Sequence, residues 1–217
     1  MVRVAEETGQ ILGEAFHYVY HPMFQRILDE VASGRIGTLQ RTEGHFDISI
    51  PKPDIRWEYA TSGGATMDLG CYPIHWVRTV AGEEPTVVNA TAEEDPERID
   101  AALGAEMTFP SGATAYIHSA MNDPADKILL TVEGTKGRIV ADNPLAPQSG
   151  NTLTIETERG VSSGSVVAGT TYHHMMRAFV DHVRLGSPFP TMGRDSINNM
   201  RVIDAAYEAA GLPKRGI

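Results

Sequence analysis

The chain has 217 residues, a formal net charge of -10 and a single cysteine, Cys71. That length supports one sizeable core, or one domain with appendages. The acidic balance, with no Lys/Arg run, argues against nucleic acid and anionic membrane surfaces as partners. One cysteine leaves no internal disulfide and no Cys-based zinc site. No stretch approaches the roughly 20 apolar residues of a membrane span, and the charged start does not read as a signal peptide. A cytoplasmic protein is the expectation.

Val2–Gly9 reads as the tail of a helix, with Gly9 where a stop belongs. Gln10–Phe16 reads as a short strand. A chain opening on the last turns of a helix suggests a remnant, so residues 1–20 are assigned to a preceding domain and 21–217 to the main α+β domain. His21-Pro22 then opens a helix, because proline suits the first helical position. Met23, Ile27, Leu28 and Val31 recur at helical spacing, and Gly34 ends the run. Leu39–Ile50 alternates like a half-buried strand. Pro51–Gly64 reads as a loop, and a helix is predicted over about Ala65–Ala81, with Met67, Cys71, Ile74 and Val77 as its apolar stripe.

Strands follow: Val87–Glu93, Ala102–Phe109 and Ala113–Ala120, the last two joined by the Pro110-Ser111-Gly112 turn. Further strands are Ile128–Glu133, Arg138–Ala141 and Leu153–Thr157. Helices over Tyr172–Leu185 and Ser196–Ala210 close the chain. Strands in a run and then helices imply an α+β fold: an open, largely antiparallel sheet with helices on one face.

The densest chemistry lies in Gly63-Gly64-Ala65-Thr66-Met67-Asp68-Leu69-Gly70-Cys71-Tyr72-Pro73-Ile74-His75. On a helix Asp68, Tyr72 and His75 fall at i, i+4 and i+7, so a carboxylate, a phenol and an imidazole share one face. Gly70 allows close approach of another group, and Pro73 frees the Leu69 carbonyl. Taken alone, each residue also has a bland reading: an amphipathic surface tyrosine, a solvated aspartate. Dinucleotide chemistry is not encoded in the usual way, since no Gly-x-Gly and no Walker-type Gly-Lys-Ser/Thr occurs among the 21 glycines.

Elsewhere the signals are structural. His173-His174 point to different helix faces, so no metal site is expected. His118 reads as a structural or exposed strand residue, Glu93–Glu97 as a solvated acidic run, Asp123-Pro124 as a turn, and Lys52 as a loop lysine.

The chain resembles the glucose–fructose oxidoreductase and inositol dehydrogenase (Gfo/Idh/MocA) family, in the branch of dimeric dihydrodiol and xylose dehydrogenases. The resemblance rests on Glu14-Ala15-Phe16, His21-Pro22, Ser33-Gly34-Arg35-Ile36-Gly37, Arg56-Trp57, Gly63-Gly64 and Asp68–Ile74. It continues through Gly82-Glu83-Glu84-Pro85, Phe109–Gly112, Glu133–Gly137 and Tyr172. It implies a C-terminal substrate domain whose N-terminal Rossmann partner, and the catalytic lysine it carries, lie outside this chain. It implies Tyr72 as the proton donor or acceptor, Asp68 as its orienting carboxylate, and Arg56, Trp57 and Tyr172 as substrate contacts. His21 would lie toward the cofactor. His75 matches no family position, and its assignment to the substrate face rests on the helical spacing alone. NAD or NADP would serve the complete enzyme without binding to this chain alone, and the substrate would be a sugar, polyol or cyclic diol. A homodimer through the open sheet face is implied, and a separate nucleotide-binding chain is a further partner. The arginine common in the family before His-Pro is replaced here, since Val19-Tyr20 precedes His21-Pro22. Two other readings remain at this point: a non-catalytic sugar-binding and dimerisation module, and a cofactor-free lyase or isomerase using Tyr72, Asp68 and His75.

Overall fold

A computed structural model describes residues 1–216, the side chain of Ala125 excepted. Helices α1 (Val2–Thr8) and α2 (Pro22–Ala32) precede strand β1 (Leu39–Ser49). Helix α3 (Cys71–Ala81) leads into β2 (Thr86–Glu94), β3 (Asp100–Thr108), β4 (Thr114–Ala120) and β5 (Asn122–Gly134). Next come β6 (Gly137–Asp142), β7 (Thr152–Thr157) and β8 (Gly160–Gly164), and then α4 (Thr171–Leu185) and α5 (Arg194–Ala209). The eight strands form one open sheet in the order β2-β3-β4-β1-β5-β6-β7-β8. Among the described residues β1–β4 is its only parallel pairing, so the α+β expectation holds. No helix among them is long and apolar enough to cross a membrane.

The strand alternation sorts the sheet into two faces. Phe46, Leu130, Val132, Ile139, Ala141, Leu153 and Ile155 point to one side, where they pack with Met23, Phe24 and Ile27 of α2. Leu103, Ala105, Met107 and Ile117 continue that side under α3 and α5, against Ile74, Val77, Val202 and Ile203. Burying each such side chain contributes on the order of 2 kcal/mol, which is why these helices lie on this face. The opposite face carries Glu43, Thr131, Tyr116 and His118, all partly exposed.

Four segments differ from the sequence expectation. Ile11–Phe16 is not a strand: Gly13 alone bridges to Met192, because no parallel neighbour is present to pair with the rest. The helix predicted from Ala65 begins instead as a π-helical turn over Thr66–Gly70 before α3 proper. Pro73 has no N–H to return to Leu69, so the regular ladder cannot run through, and the wider turn takes its place. Asp123-Pro124 is not a turn but the start of β5, and β8 carries no apolar alternation because every residue of it is exposed.

Candidate active site

The site is built from three segments that meet at Tyr72. The first is the loop before the π-helical turn. Asp54 caps a 3-10 turn over Ile55–Trp57 by accepting the Arg56 N–H at 2.9 Å. The Gly64 N–H donates to the Arg56 carbonyl at 2.9 Å, tying this loop to the segment that carries Asp68. Arg56 Nε then donates to Asp68 Oδ2 at 2.6 Å, and its Nη1 to Asp54 Oδ1 at 3.1 Å. The guanidinium is thus held between two carboxylates and remains partly exposed. Trp57 lies beneath, buried, with its indole N–H donated to the Ile50 carbonyl at 3.1 Å. It braces the loop and has no free polar edge for a substrate.

A buried node fixes the π-helical turn. The Asp100 carboxylate accepts the Thr66 N–H at 2.7 Å, the Tyr207 hydroxyl at 3.1 Å and Arg215 Nη2 at 2.9 Å. Gly64, at φ +132, passes so close that any Cβ would collide with Asp100. Gly70 does the same toward β4: a Cβ there would stand 2.8 Å from Ser119 Oγ. This is the close approach read from the sequence. Asn199 Nδ2 caps the open Cys71 carbonyl at 3.1 Å.

The third segment is the 3-10 turn His17–Tyr20 and the first turn of α4. The Tyr72 ring is half-buried among Phe16 (5.5 Å between centroids), Phe46 (5.8 Å), His17 (6.2 Å) and Tyr18 (6.3 Å). Tyr172 is more than half exposed and stacks on His17 at 4.1 Å. Burial raises the Tyr72 phenol well above its ordinary value, and the Asp68 and Glu14 carboxylates push it further the same way. Burial also depresses His17 to about 4, leaving it neutral, and its Nδ1 is buried without a partner. Glu14 is raised by burial, opposed by a hydrogen bond from Ser196.

Asp68 and Tyr172 thus lie near enough to Tyr72 to act on its phenol, and Arg56 is joined to Asp68. His75 does not join them. Its ring is buried, stacks on Phe16 at 4.1 Å, bonds through Nδ1 to the Tyr18 hydroxyl, and places Nε2 2.8 Å from Asp195. Three residues along α3 set His75 about 60° around the helix from Tyr72, enough to turn it inward toward Tyr18 and Asp195. Asp195 also accepts Arg78, which is held by Glu84 and Asn199. His21 is wholly buried. Its Nδ1 accepts the Met23 N–H at 3.1 Å and caps α2, and its Nε2 has no partner. His17 and Glu14 were missed. Their signal was their position in Glu14-Ala15-Phe16-His17, beside the quoted landmark.

The fold defines the class first: an open, largely antiparallel sheet with helices on one face. The chain belongs to the Gfo/Idh/MocA family, and residues 24–140 match the model of that family's C-terminal domain. It is 30% identical over 210 residues to a D-xylose 1-dehydrogenase (NADP(+)) of Haloferax volcanii, covering 94% of this chain and 64% of that protein. It is 28% identical over 213 residues to a dTDP-3,4-didehydro-2,6-dideoxy-alpha-D-glucose 3-reductase of Actinomadura kijaniata, covering 95% and 63%. Its fold matches a Caulobacter crescentus aldose-aldose oxidoreductase complexed with glycerol, with TM-score 0.89 and 22% identity over 97% of this chain and 64% of that one. The chain thus spans about two thirds of the length of the curated relatives it matches.

Proposed function

We propose that this chain is the substrate-binding and catalytic half of an NAD(P)-dependent oxidoreductase acting on a CH–OH group of a sugar, polyol or cyclic diol. The observation that carries the reading is the Tyr72 hydroxyl, set in an aromatic socket beside the Asp68–Arg56 pair. The names of the relatives support the substrate class and the cofactor.

The residues described do not themselves build a dinucleotide cradle. The sheet has one parallel pairing, and no glycine-rich strand-to-helix turn is present among them. The nucleotide is assigned to a portion outside this chain, in the same polypeptide or in a separate one. Tyr172, Met176, Val180 and Val183 form an exposed apolar stripe along α4, starting at the site itself. A cleft of about 790 Å³ also opens beside Glu14, between the N-terminal segment and α5. Both are assigned to packing against that portion. The second copy of a homodimer is assigned to the open sheet face, and the protein to the cytoplasm.

When bound, a nicotinamide would supply hydride exchange, and this chain's share is the proton and the positioning. Arg56, held planar by Asp54 and Asp68, offers its remaining N–H groups to substrate hydroxyls. Tyr172, with the neutral His17 stacked beneath it, walls the opposite side. A phenol raised in pKa is protonated at neutral pH but is a weak acid, so Tyr72 needs a cation beside it to stabilise the phenolate, whether it gives its proton to a carbonyl oxygen or takes one from a hydroxyl.

That same raised pKa favours a second reading for the chain by itself, a sugar-binding module without turnover. The cofactor-free lyase reading loses its support, because both nitrogens of His75 are engaged internally. NADH and NADPH titration of the chain, then a turnover screen with aldoses, polyols and diols in the polypeptide that carries the nucleotide-binding portion, tests the proposal. Tyr72→Phe is expected to lower kcat by about 100-fold or more with substrate binding retained. Unchanged turnover in Tyr72→Phe removes the proposed role.

A further inference from the structure

On the open face of the sheet, opposite the face on which Phe46 meets Tyr72, three side chains of metal-ligating type converge. His45 and Asp47 project from β1, and His118 projects from β4, where it is the register partner of His45. One donor atom from each lies within 4.8 Å of the other two. His118 Nδ1 is 2.6 Å from Asp47 Oδ1, and His45 Nδ1 is 3.3 Å from Asp47 Oδ2. From this convergence we propose that His45, Asp47 and His118 form a site for a divalent transition metal of the Zn2+ type.

Burial is the first reason. Asp47 is 2% exposed and His45 8% exposed, on a face whose other side chains are half-open. Sealing a carboxylate there is costly unless cations or donors answer it. The second reason is an unanswered atom: His45 Nδ1 is buried, faces Asp47 and makes no hydrogen bond. Its other nitrogen is committed, with Nε2 2.7 Å from Glu43 Oε1. With Nε2 against Glu43, Nδ1 stands 3.3 Å from Asp47 Oδ2, in a gap that either a proton on Nδ1 or a bound cation fills. Outer carboxylates hold metal-bound histidines in this way.

The donor set selects the ion. Two imidazole nitrogens and a carboxylate oxygen suit zinc, at about 2.0–2.2 Å each, with water in the fourth position. Calcium and magnesium require mostly oxygen. Closing the ligands around the ion means opening the His118–Asp47 contact by less than an ångström, since donors about 2.1 Å from a tetrahedral centre stand about 3.4 Å apart. Tyr116 lies over the site, 5.9 Å from the His45 ring, and has room because Gly104 beneath it lacks a Cβ. Lys127, the register partner of Asp47, is the nearby charge that opposes a cation; it is exposed and able to turn outward.

Zn2+ titration of the EDTA-stripped chain by calorimetry tests the site, with Co2+ absorption as the spectroscopic readout. One ion per chain is expected, with the visible bands of four-coordinate Co2+. His118→Ala is expected to weaken affinity at least about 10-fold, and Glu43→Gln by about 10-fold through the outer shell. His118 is partly exposed, so its variant keeps the test open should a His45 variant fail to fold. Absence of saturable binding overturns the proposal and leaves a proton between His45 and Asp47. Binding unchanged in His118→Ala also overturns it, by placing the ion elsewhere, for example at His173-His174.

Discussion

Arg215→Ala should be among the most damaging single changes in the chain. The Arg215 and Asp100 side chains are both 0% exposed and sit 2.9 Å apart. Arg215 Nε also donates to the Gly63 carbonyl at 2.7 Å, and its guanidinium lies 4.2 Å from the centre of the Tyr207 ring. Truncation leaves a buried carboxylate with only Thr66 N–H and the Tyr207 hydroxyl to answer it. Breaking a buried pair on one side costs about 3–5 kcal/mol, a large part of a typical stability of about 5–15 kcal/mol. Urea unfolding followed by circular dichroism reads the loss as a lower midpoint at unchanged slope. Asp100→Asn added to Arg215→Ala removes the stranded charge, so the double variant should recover part of the loss instead of adding to it. The node also holds the Thr66 N–H, and so the turn presenting Asp68; substrate affinity should fall along with stability. A loss under about 1 kcal/mol for Arg215→Ala would refute the argument, because the pair would then be acting like a surface one.

Three further outcomes are expected. His17, with its folded-state pKa near 4 against about 6.5 unfolded, binds a proton more readily when the chain is unfolded. Its contribution is intact above pH 6.5 and is lost as pH falls toward 4; His17→Phe, which keeps the stack on Tyr172, should flatten that slope in pH-dependent unfolding. Asp68→Asn should change stability by less than about 1 kcal/mol, since its pair with Arg56 is partly exposed, yet raise KM about 10-fold by freeing the guanidinium; equal KM values would remove Arg56 from the substrate surface. Gly104→Ala places a Cβ 2.6 Å from the Tyr116 hydroxyl, and should cost about 1 kcal/mol in the parent chain and almost nothing in a Tyr116→Ala background.

Much of the fold was legible because most elements follow one simple period. Strands β4, β6 and β7 alternate buried and more exposed positions, β2 and β3 do so over part of their length, and α2 and α5 carry apolar stripes. Ile11–Phe16 misled because its apolar content resembles a strand's, while pairing depends on neighbours that local pattern does not supply. The Asp68–Tyr72 segment was legible as chemistry but not as geometry. Proline and glycine announced an irregular helix, but the wide turn could not be counted from spacing, and His75 turns inward because three residues carry it about 60° around α3 from Tyr72. The buried triad of His45, Asp47 and His118 was invisible for a different reason. It depends on the parallel register of β1 with β4, two strands far apart in sequence.

These errors share a cause that bears on how the domain works. Tyr72 and His75 leave the same helix within one turn, but one enters an aromatic socket and the other a polar chain of Tyr18, Asp195, Arg78 and Glu84. That chain links the turn before α2, helix α3 and the start of α5, and so fixes the rotation of α3 about its axis. Rotation of α3 is what aims the Tyr72 ring between Phe16 and Phe46. His75 thus acts on the proposed chemistry through the direction of the tyrosine, and a helix that carries a catalytic phenol on one side needs its other side locked. The Asp100–Arg215 node does the same for the turn that carries Asp68. The two anchors enter from opposite ends of one short segment, and the proposed site is the stretch of chain held between them.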